Sequence, residues 1–424
     1  MSKFNIFIRN KKKDFIYNSL SNNLLEINNE IKCLIESKNY NVIKKNNKLM
    51  FEKLQESKMI EVNDEDELAK LKLNRLIKQT LNVLSLTICP TTNCNFACYY
   101  CYEKADNKHD MTLQVENDIV DYIKNFENID QINITWYGGE PLLKYETINR
   151  ITKEILNLKN ISIGKTSYSS NMVTNGYLFT DEIIFSLKNN NINSLQITLD
   201  GNKVSHNNIR NIDSYEQTDS FGHIVSNIIK INKLTDVFIN VRVNISKENA
   251  TEFFEVYDFL MKQISFKDRI SIYPGFIQNI NECQTHDCAF QNKKEKDACL
   301  YDLFSIRPKL RERLYPQNKD NICIAQHLNS FLIDPLGDMY KCWVDIGLKE
   351  KRLLNVKKRN KINVVLLSKY ITDSPFDSAS KCLKCSLFPL CGGGCQKFRI
   401  ENKNCCEMDK SHLIKSLKCI IENS

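Results

Sequence analysis

The segment Cys94-Asn-Phe-Ala-Cys98-Tyr-Tyr-Cys101 places three thiols within eight residues. Zinc sites and iron–sulfur clusters both take thiolate ligands, and a closed site of either kind wants four. Three thiolates in one loop therefore leave one position open. They can hold three corners of a [4Fe–4S] cluster while the fourth iron binds a ligand that is also a reagent; a zinc knuckle would instead borrow Cys89 as its fourth donor. A second set lies far downstream: Cys323-x13-Gly337-x4-Cys342, then Cys382-x2-Cys385-x5-Cys391-x3-Cys395, then Cys405, Cys406 and Cys419. Cys382, Cys385, Cys391 and Cys395 alone could close a tetrahedral zinc site, which leaves Cys323 and Cys342 unexplained. Otherwise Cys33 and Cys89 read as buried apolar thiols.

Seventeen cysteines in 424 residues are more than an average cytosolic protein carries and too sparse for a small disulfide-stapled scaffold. Metal, cluster or redox chemistry is what remains. With 42% hydrophobic and 26% charged residues the composition is globular, and at ~100–200 residues per domain the length predicts roughly two to four domains. The N-terminus, MSKFNIFIRNKKKDF, lacks the apolar run and cleavage site of a signal peptide, and no stretch of ~18 apolar residues occurs, which predicts a soluble, cytoplasmic protein without a membrane partner. The net charge of +8 comes from 59 basic and 51 acidic residues. Its densest runs, Lys11-Lys12-Lys13 and Lys357-Lys358-Arg359, have no aromatic residues interleaved and read as solvated loops, so no nucleic-acid partner is expected.

Between Cys101 and Cys283 the chain holds no cysteine, and short β-rich runs alternate with helical patterns. Val83 to Ile88, Ile132 to Trp136, Ser167 to Val173, Leu195 to Leu199, Val237 to Ile245 and Ile270 to Tyr273 read as strands. Val115, Ile119, Tyr122, Ile123 and Phe126 hold one helical face, as do Ile148, Ile151 and Ile155, then Phe221, Ile224 and Ile228, then Phe253, Val256, Tyr257 and Leu260. Repeated βα units imply parallel strands with helices outside, in an open sheet or a full or partial barrel, with sites at the C-terminal strand ends. The first cysteine cluster follows Val83 to Ile88 directly and belongs to a loop at that face. Residues 1 to about 82 differ: three short strands and helices near Asn29 to Ser37 and Asn47 to Ser57 predict a small α+β module, linked through the acidic stretch Glu61 to Glu67.

The spacing C-x3-C-x2-C, with Tyr100 just before the last cysteine, resembles the signature of the radical S-adenosylmethionine (radical SAM) enzymes. Trp136-Tyr-Gly138-Gly139-Glu140-Pro141 ends the next strand and resembles that family's GGE motif, which binds the methionine amino group of SAM. Val173-Thr-Asn175-Gly and Gln196-Ile-Thr198-Leu-Asp200-Gly201 end later strands as the family's TNG and S/T-L-D-G segments do. The resemblance implies that Tyr100, Gly138, Gly139, Glu140 and Asn175 belong to the cofactor site and that Thr198 and Asp200 line the SAM ribose or carboxylate region. Arg242, in Asn240-Val-Arg-Val-Asn, is a candidate for the methionine carboxylate; the bland alternative is an exposed strand arginine. The activity implied is one-electron cleavage of SAM by the cluster, followed by hydrogen abstraction from a substrate by the 5′-deoxyadenosyl radical. The hard chemistry would belong to the cofactor, and the protein would position the target C–H and exclude water.

The C-terminal cysteines resemble the SPASM extension, which carries auxiliary [4Fe–4S] clusters in radical SAM enzymes. By that resemblance Cys323, Cys342 and Cys395 bind a first auxiliary cluster and Cys382, Cys385 and Cys391 a second. Cys406 is preferred over Cys405 and Cys419 as fourth ligand of the second. For the first, Cys288 is preferred over Cys283 and Cys299, and an open iron is the alternative. Anaerobic sulfatase maturases carry an Asp directly after the cysteine that occupies position 342 here; Trp343 stands there instead, and Asp338-Met-Tyr-Lys-Cys342-Trp343 looks like maturases of ribosomally made peptides (RiPPs). Asp345 is the nominee for the base that a cross-link needs, and a loop carboxylate is its alternative. The expected architecture is a partial (β/α)6 TIM-like barrel at residues 83–280, a SPASM module at 281–424 and a winged-helix-like recognition module at 1–82 that takes a leader peptide as an added strand. The expected function is a peptide maturase (an oxidoreductase) with three [4Fe–4S] clusters and SAM, making a thioether or C–C cross-link in a precursor peptide, with flavodoxin or ferredoxin as electron donor. The alternatives are a formylglycine-forming sulfatase maturase and a non-catalytic multi-zinc binding protein.

Overall fold

The computed structural model describes the chain except residues 61–63, 104–107, 127, 211–218, 280–286, 318–321, 359–360, 374, 377–380, 404, 407 and 423–424, and the side chains of 64 and 65. Cys283 and Arg359 lie outside the described residues. Two compact units share the chain: a cysteine-rich unit of Met1–Leu81, Asn292–His327 and Lys369–Ser424, and a sheet unit of Asn82–Gln291 and Leu328–Ser368.

The cysteine-rich unit starts with a meander in which β1 (Asn5–Asn10), β2 (Lys13–Asn18) and β3 (Asn23–Ile27) pair antiparallel in that order. Strand alternation sends side chains to two faces. Ile16 and Ile27 pack with Ile31, Ile35, Ile43 and Leu54 from α1 (Asn29–Glu36), α2 (Tyr40–Asn46) and α3 (Lys48–Glu56). Ile6, Ile8, Phe15 and Tyr17 face the other way and meet Leu387, Leu390, Leu413 and Leu417. Asn28 and Asn47 cap α1 and α3 by accepting from Ile31 N and Met50 N. The longer α4 (Asp64–Gln79) follows.

In the sheet unit the alternating pattern becomes six parallel strands in sequence order: β4 (Val83–Ile88), β5 (Gln131–Trp136), β6 (Ser167–Thr174), β7 (Ile192–Leu199), β8 (Phe238–Ile245) and β9 (Ile270–Phe276). The connections hold α5 (Leu113–Lys124), α6 (Tyr145–Leu156), α7 (Lys159–Ser162), α8 (Asp181–Ser186), α9 (Lys203–Ile209), α10 (Ser220–Leu234) and α11 (Phe253–Gln263). Thr112, Thr180, Asn202 and Asp219 cap α5, α8, α9 and α10 with side-chain oxygens. Ile119, Ile148, Ile151, Ile224, Ile228, Val256 and Leu260, all on the predicted helix faces, are buried.

The sheet also takes strands from beyond the cysteine-free stretch. β10 (Ser330–Ile333) pairs parallel with β4, Ser330 opposite Ser85, and β11 (Asp338–Tyr340) and β12 (Leu354–Asn355) continue antiparallel from it. The result is a mixed nine-stranded sheet in the order β12-β11-β10-β4-β5-β6-β7-β8-β9. Residues 328–368, expected in a single C-terminal module, thus belong to the sheet unit. Four buried residues, Ser-Phe-Leu-Ile, complete the edge of β4, a run too short to register as a periodic strand. The remaining helices are α12 (Lys293–Ser305), α13 (Val364–Thr372), α14 (Phe388–Cys391), α15 (Gln396–Ile400) and α16 (Lys410–Ile421). Among the described residues no helix is long and apolar enough to cross a membrane.

Ile197 is fully buried in β7, paired with Thr174 on one side and Val241 on the other. Ile197→Ala is expected to cost about 2–5 kcal/mol, read as a lower denaturant midpoint by circular dichroism.

Candidate functional site

The loop after β4 carries Cys94, Cys98 and Cys101 to the C-terminal end of the parallel strands, where a cavity of ≈ 230 Å³ opens. All three cysteines line it, together with Tyr100, Gly138, Gly139, Asn175, Thr198 and Arg242. The loop is held by backbone contacts with the turn that ends β5. Gly139 N donates to Thr91 O (3.0 Å) and Glu140 N to Asn93 O (2.8 Å). A Cβ on Gly138, whose φ is +118°, would overlap Cys89 Sγ and the Thr91 carbonyl, and one on Gly139 would overlap the Asn93 carbonyl. The paired glycines are there because the cysteine loop lies on them. Cys89 Sγ is tied to Thr91 O at 3.0 Å, fully buried behind Gly138, and is not among the residues lining the cavity.

Phe96 N donates to Cys94 Sγ at 3.4 Å, and Asn175 Nδ2 lies 3.9 Å from the same sulfur. Burial pushes the Cys94 thiol up to about 11 and the Cys101 thiol to about 12, and raises Cys98 as well. A bound cation reverses that preference, because coordination takes the thiolate and releases the proton.

Two carboxylates stand behind the cavity wall and organise it. Glu140 is fully buried; Oε1 accepts from Leu142 N (3.0 Å) and Thr174 Oγ1 (2.7 Å), and Oε2 from Asn175 N (2.7 Å). It staples the GGE turn to the Thr174-Asn175-Gly176 turn instead of lining the cavity. Burial raises its pKa even with these donors. Asp200, equally buried, takes Arg210 Nε on Oδ2 (2.6 Å) and Tyr100 Oη (2.5 Å) and Asn244 Nδ2 (3.0 Å) on Oδ1. Burial alone would push Asp200 up; Arg210 and His206 hold it below the usual carboxylate range. Arg242 lines the cavity with Nε on Asn244 Oδ1 (2.9 Å), in space that a Cβ on Gly275 would fill.

Sequence reasoning missed Gln196, Arg210, Asn244, Tyr102, Glu103, Tyr137 and Trp343 as cavity-lining residues. Trp343 packs on Tyr137 with ring centroids 4.6 Å apart and donates Nε1 to Thr87 Oγ1 at 3.1 Å. Burial pushes Glu103 up to about 7, and Tyr137 bonds its carboxylate. Asp345 is buried in the short turn Trp343–Asp345 and is not among the lining residues. Cys288, also in the sheet unit, has its sulfur 3.5 Å from Tyr99 Oη, beside the cysteine loop. Cys342 belongs to the sheet unit, and Cys323, Cys395 and the other C-terminal cysteines to the cysteine-rich unit.

In the cysteine-rich unit Cys391 has the thiols of Cys385, Cys382 and Cys406 as its titratable neighbours, and burial raises it to about 11. Leu387 N donates to Cys385 Sγ and Gly393 N to Cys391 Sγ, both at 3.4 Å, repeating the contact at Cys94. Arg399 Nη2 lies 3.8 Å from Cys382 Sγ. Among the described residues no three His, Cys, Asp or Glu side chains close round a single point. A lone tetrahedral ion would ask that of them, whereas a cluster takes each thiolate on a different iron. In chemistry and hydrogen bonding the two thiol sets fit iron–sulfur clusters, and the polar wall beside the first suits a ligand with amine, carboxylate and ribose groups.

Glu140→Gln would turn one acceptor oxygen into a donor facing donors in a fully buried position, at a cost of about 1–3 kcal/mol. The expected outcome is weaker binding of S-adenosylmethionine, the ligand that the sequence resemblance implies, by equilibrium dialysis with the three thiols still present; unchanged binding would show that the staple does not shape the cavity.

Residues 88–260 match the model of the Radical SAM superfamily. A cysteine-type anaerobic sulfatase-maturating enzyme of Clostridium novyi (strain NT) is 26% identical over 354 residues, covering 75% of this chain and 89% of that protein. The radical SAM cyclopropyl synthase TigE of Paramaledivibacter caminithermalis is 26% identical over 221 residues, 45% of each chain. The structure of native anSMEcpe with bound AdoMet and Cp18Cys peptide aligns with a TM-score of 0.58 at 21% identity, covering 80% of this chain and 96% of that one. Streptococcus suis SuiB bound to precursor peptide SuiA aligns with a TM-score of 0.51 at 17% identity, covering 97% and 98%. At those identities the two structures speak for the fold, a mixed, mainly parallel sheet consistent with the TIM-like barrel of radical SAM proteins. Residues 88–260, which carry the three-cysteine loop and the paired glycines, are thus similar to the radical SAM superfamily, whose members use a [4Fe–4S] cluster and S-adenosylmethionine.

Proposed function

We propose that this chain is a radical SAM peptide maturase that forms a thioether or carbon–carbon cross-link in a ribosomally made precursor peptide. The observation that carries the reading is the cavity wall at Trp343. An indole packed against the Tyr137 ring lines the space beside the three thiols, at the position where sulfatase maturases are expected to carry an acid. When bound, the cluster and SAM supply a carbon radical that abstracts hydrogen from the substrate. Cys94, Cys98 and Cys101 would hold the cluster. The Gly138-Gly139 backbone, Asn175 and Thr198 would cradle SAM, with the Arg242 guanidinium available to its carboxylate. Tyr100, Arg210 and Asn244, fixed on Asp200, keep that wall rigid, which is what a fixed distance between radical and target C–H requires. The aromatic side chains of Tyr102, Tyr137 and Trp343 exclude water on the substrate side.

Two auxiliary clusters complete the proposal, with Cys323, Cys342 and Cys395 as ligands of one and Cys382, Cys385, Cys391 and Cys406 of the other. Cys288 is retained as the candidate fourth ligand of the first. The base role nominated for Asp345 gains no support from its buried position off the cavity wall. The open edges of the β1–β3 meander suit a leader peptide docking as an added strand. Peptide substrates are supported by relatives: SuiB is seen with its precursor peptide, and the C. novyi relative is a sulfatase-maturating enzyme. That same relative favours formylglycine formation as the second reading. A one-electron donor of the flavodoxin or ferredoxin class and a cytoplasmic location complete the proposal.

Cys94, Cys98 and Cys101 replaced together by Ala should abolish 5′-deoxyadenosine formation from SAM while leaving iron at the other cysteines, measured by liquid chromatography and iron analysis after anaerobic reconstitution. Undiminished 5′-deoxyadenosine would refute the assignment. Mass spectrometry of a precursor peptide incubated with reduced enzyme and SAM separates the readings: loss of two hydrogens with two residues linked in the fragment spectra and no hydrazide-reactive aldehyde indicates a cross-link, and a hydrazide-reactive aldehyde at a single Cys or Ser indicates formylglycine.

A further inference from the structure

Four thiols gather in the cysteine-rich unit, and two arginines stand over the turn that carries them. Arg399, in α15, donates from Nη2 to the Gly393 carbonyl and reaches Cys382 Sγ at 3.8 Å. Arg75, in α4, is 9% exposed and donates from Nη1 to the Gly392 carbonyl at 3.2 Å. Both guanidiniums thus attach to the Cys391-Gly392-Gly393 turn. Their charges are not balanced by carboxylates: among the described residues neither arginine makes an ion pair. The charged neighbour that acts on Arg75 is Arg399, another cation, and burial together with that repulsion lowers Arg75 to about 10.

A backbone carbonyl satisfies an N–H group but does not neutralise a charge, and buried cations are ordinarily paired. Two adjacent cations on one turn, Arg75 buried and Arg399 half-buried, call for an anion. Arg399 reaches the Cys382 thiol, and Cys382, Cys385 and Cys406 are the titratable neighbours of Cys391 in that turn. A [4Fe–4S] core held by four thiolates carries net negative charge, and more of it after one-electron reduction. Positive charge and N–H···S bonds favour the reduced form and raise the potential of such a cluster.

We propose that Arg75 and Arg399 are the built-in counter-charge of a cluster at Cys382, Cys385, Cys391 and Cys406, and that they hold its reduction potential up. The proposal rests on the reading of those four thiols as a cluster site. It makes the two arginines positioning residues that bias this cluster toward accepting an electron. Arg399 acts at a sulfur, and Arg75 acts through the turn that fixes Cys391.

The test uses the full-length chain, reconstituted anaerobically with iron and sulfide, in the Cys94/Cys98/Cys101→Ala background so that the SAM-binding cluster contributes no signal. Dithionite titration followed by electron paramagnetic resonance gives the midpoint of each remaining cluster. A further Cys382/Cys385/Cys391→Ala change identifies which signal belongs to this site. Arg399→Gln is expected to move that midpoint to more negative potential with iron content unchanged, Arg399→Lys to restore most of the shift, and Arg75→Gln to shift it in the same direction by less. If Arg399→Gln loses the cluster and Arg399→Lys keeps it, the charge role is also supported; loss in Arg399→Lys as well overturns it. An unmoved midpoint at full iron content overturns the arginine proposal alone. If the Cys382/Cys385/Cys391→Ala change removes no iron, the cluster reading fails and the proposal falls with it.

Discussion

Gly138 and Gly139 let the backbone leaving β5 come within hydrogen-bonding range of the Thr91–Asn93 turn, and the position of three thiols follows from that contact. A side chain on either glycine would lift the cysteine loop off the sheet. The contact is backbone to backbone, so it does not vary with side-chain rotamer, and it ties the loop to strands whose register runs unbroken from β4 to β5. A reactive ligand demands such rigidity, because small displacements of a reacting atom cost rate steeply.

Around that contact the chain uses buried charge as scaffolding. Glu140 joins two strand-end turns, and Asp200 gathers Tyr100, Arg210 and Asn244 behind the cavity. Each carboxylate is satisfied by three donors, which makes burial tolerable, and neither faces the cavity. The residues that do face it are therefore positioned indirectly, through partners one layer deeper. Arg210 links both roles: it binds Asp200, lines the cavity and lies over the Phe96 ring, 5.2 Å from its centroid.

Much of this is legible in the amino-acid sequence. The six parallel strands and their main helices follow from apolar periodicity, and their observed bounds differ from the predicted ones by a few residues. The cysteine loop and the GGE, TNG and T-L-D-G turns are local in sequence, so spacing alone exposes them. What stayed hidden is long-range or directional. Whether Glu140 and Asp200 face a ligand or the protein depends on donors as far as 35 residues away for Glu140 and 100 for Asp200. Arg210 and Asn244 look like ordinary polar residues until β7, α9 and β8 bring them to Asp200. Asp345 and Glu103 are both carboxylates near cysteines, and only the folded cavity distinguishes the one that lines it from the one that does not. β10–β12 are too short to carry a period, and their role comes from the unfilled edge of β4.

That edge bears on how the protein is made. β4 emerges from the ribosome early, yet its second neighbour, β10, is encoded beyond the whole run of β5 to β9 and beyond a segment belonging to the other unit. Until residues 330–333 are synthesised, β4 offers an unpaired row of backbone N–H and C=O groups next to a loop of three free thiols. Such edges recruit foreign strands, and long-range parallel pairing is slow to form. The nascent chain is therefore most exposed to aggregation and thiol oxidation while translation passes through the middle of the sequence, before residues 330–333 can cover the β4 edge.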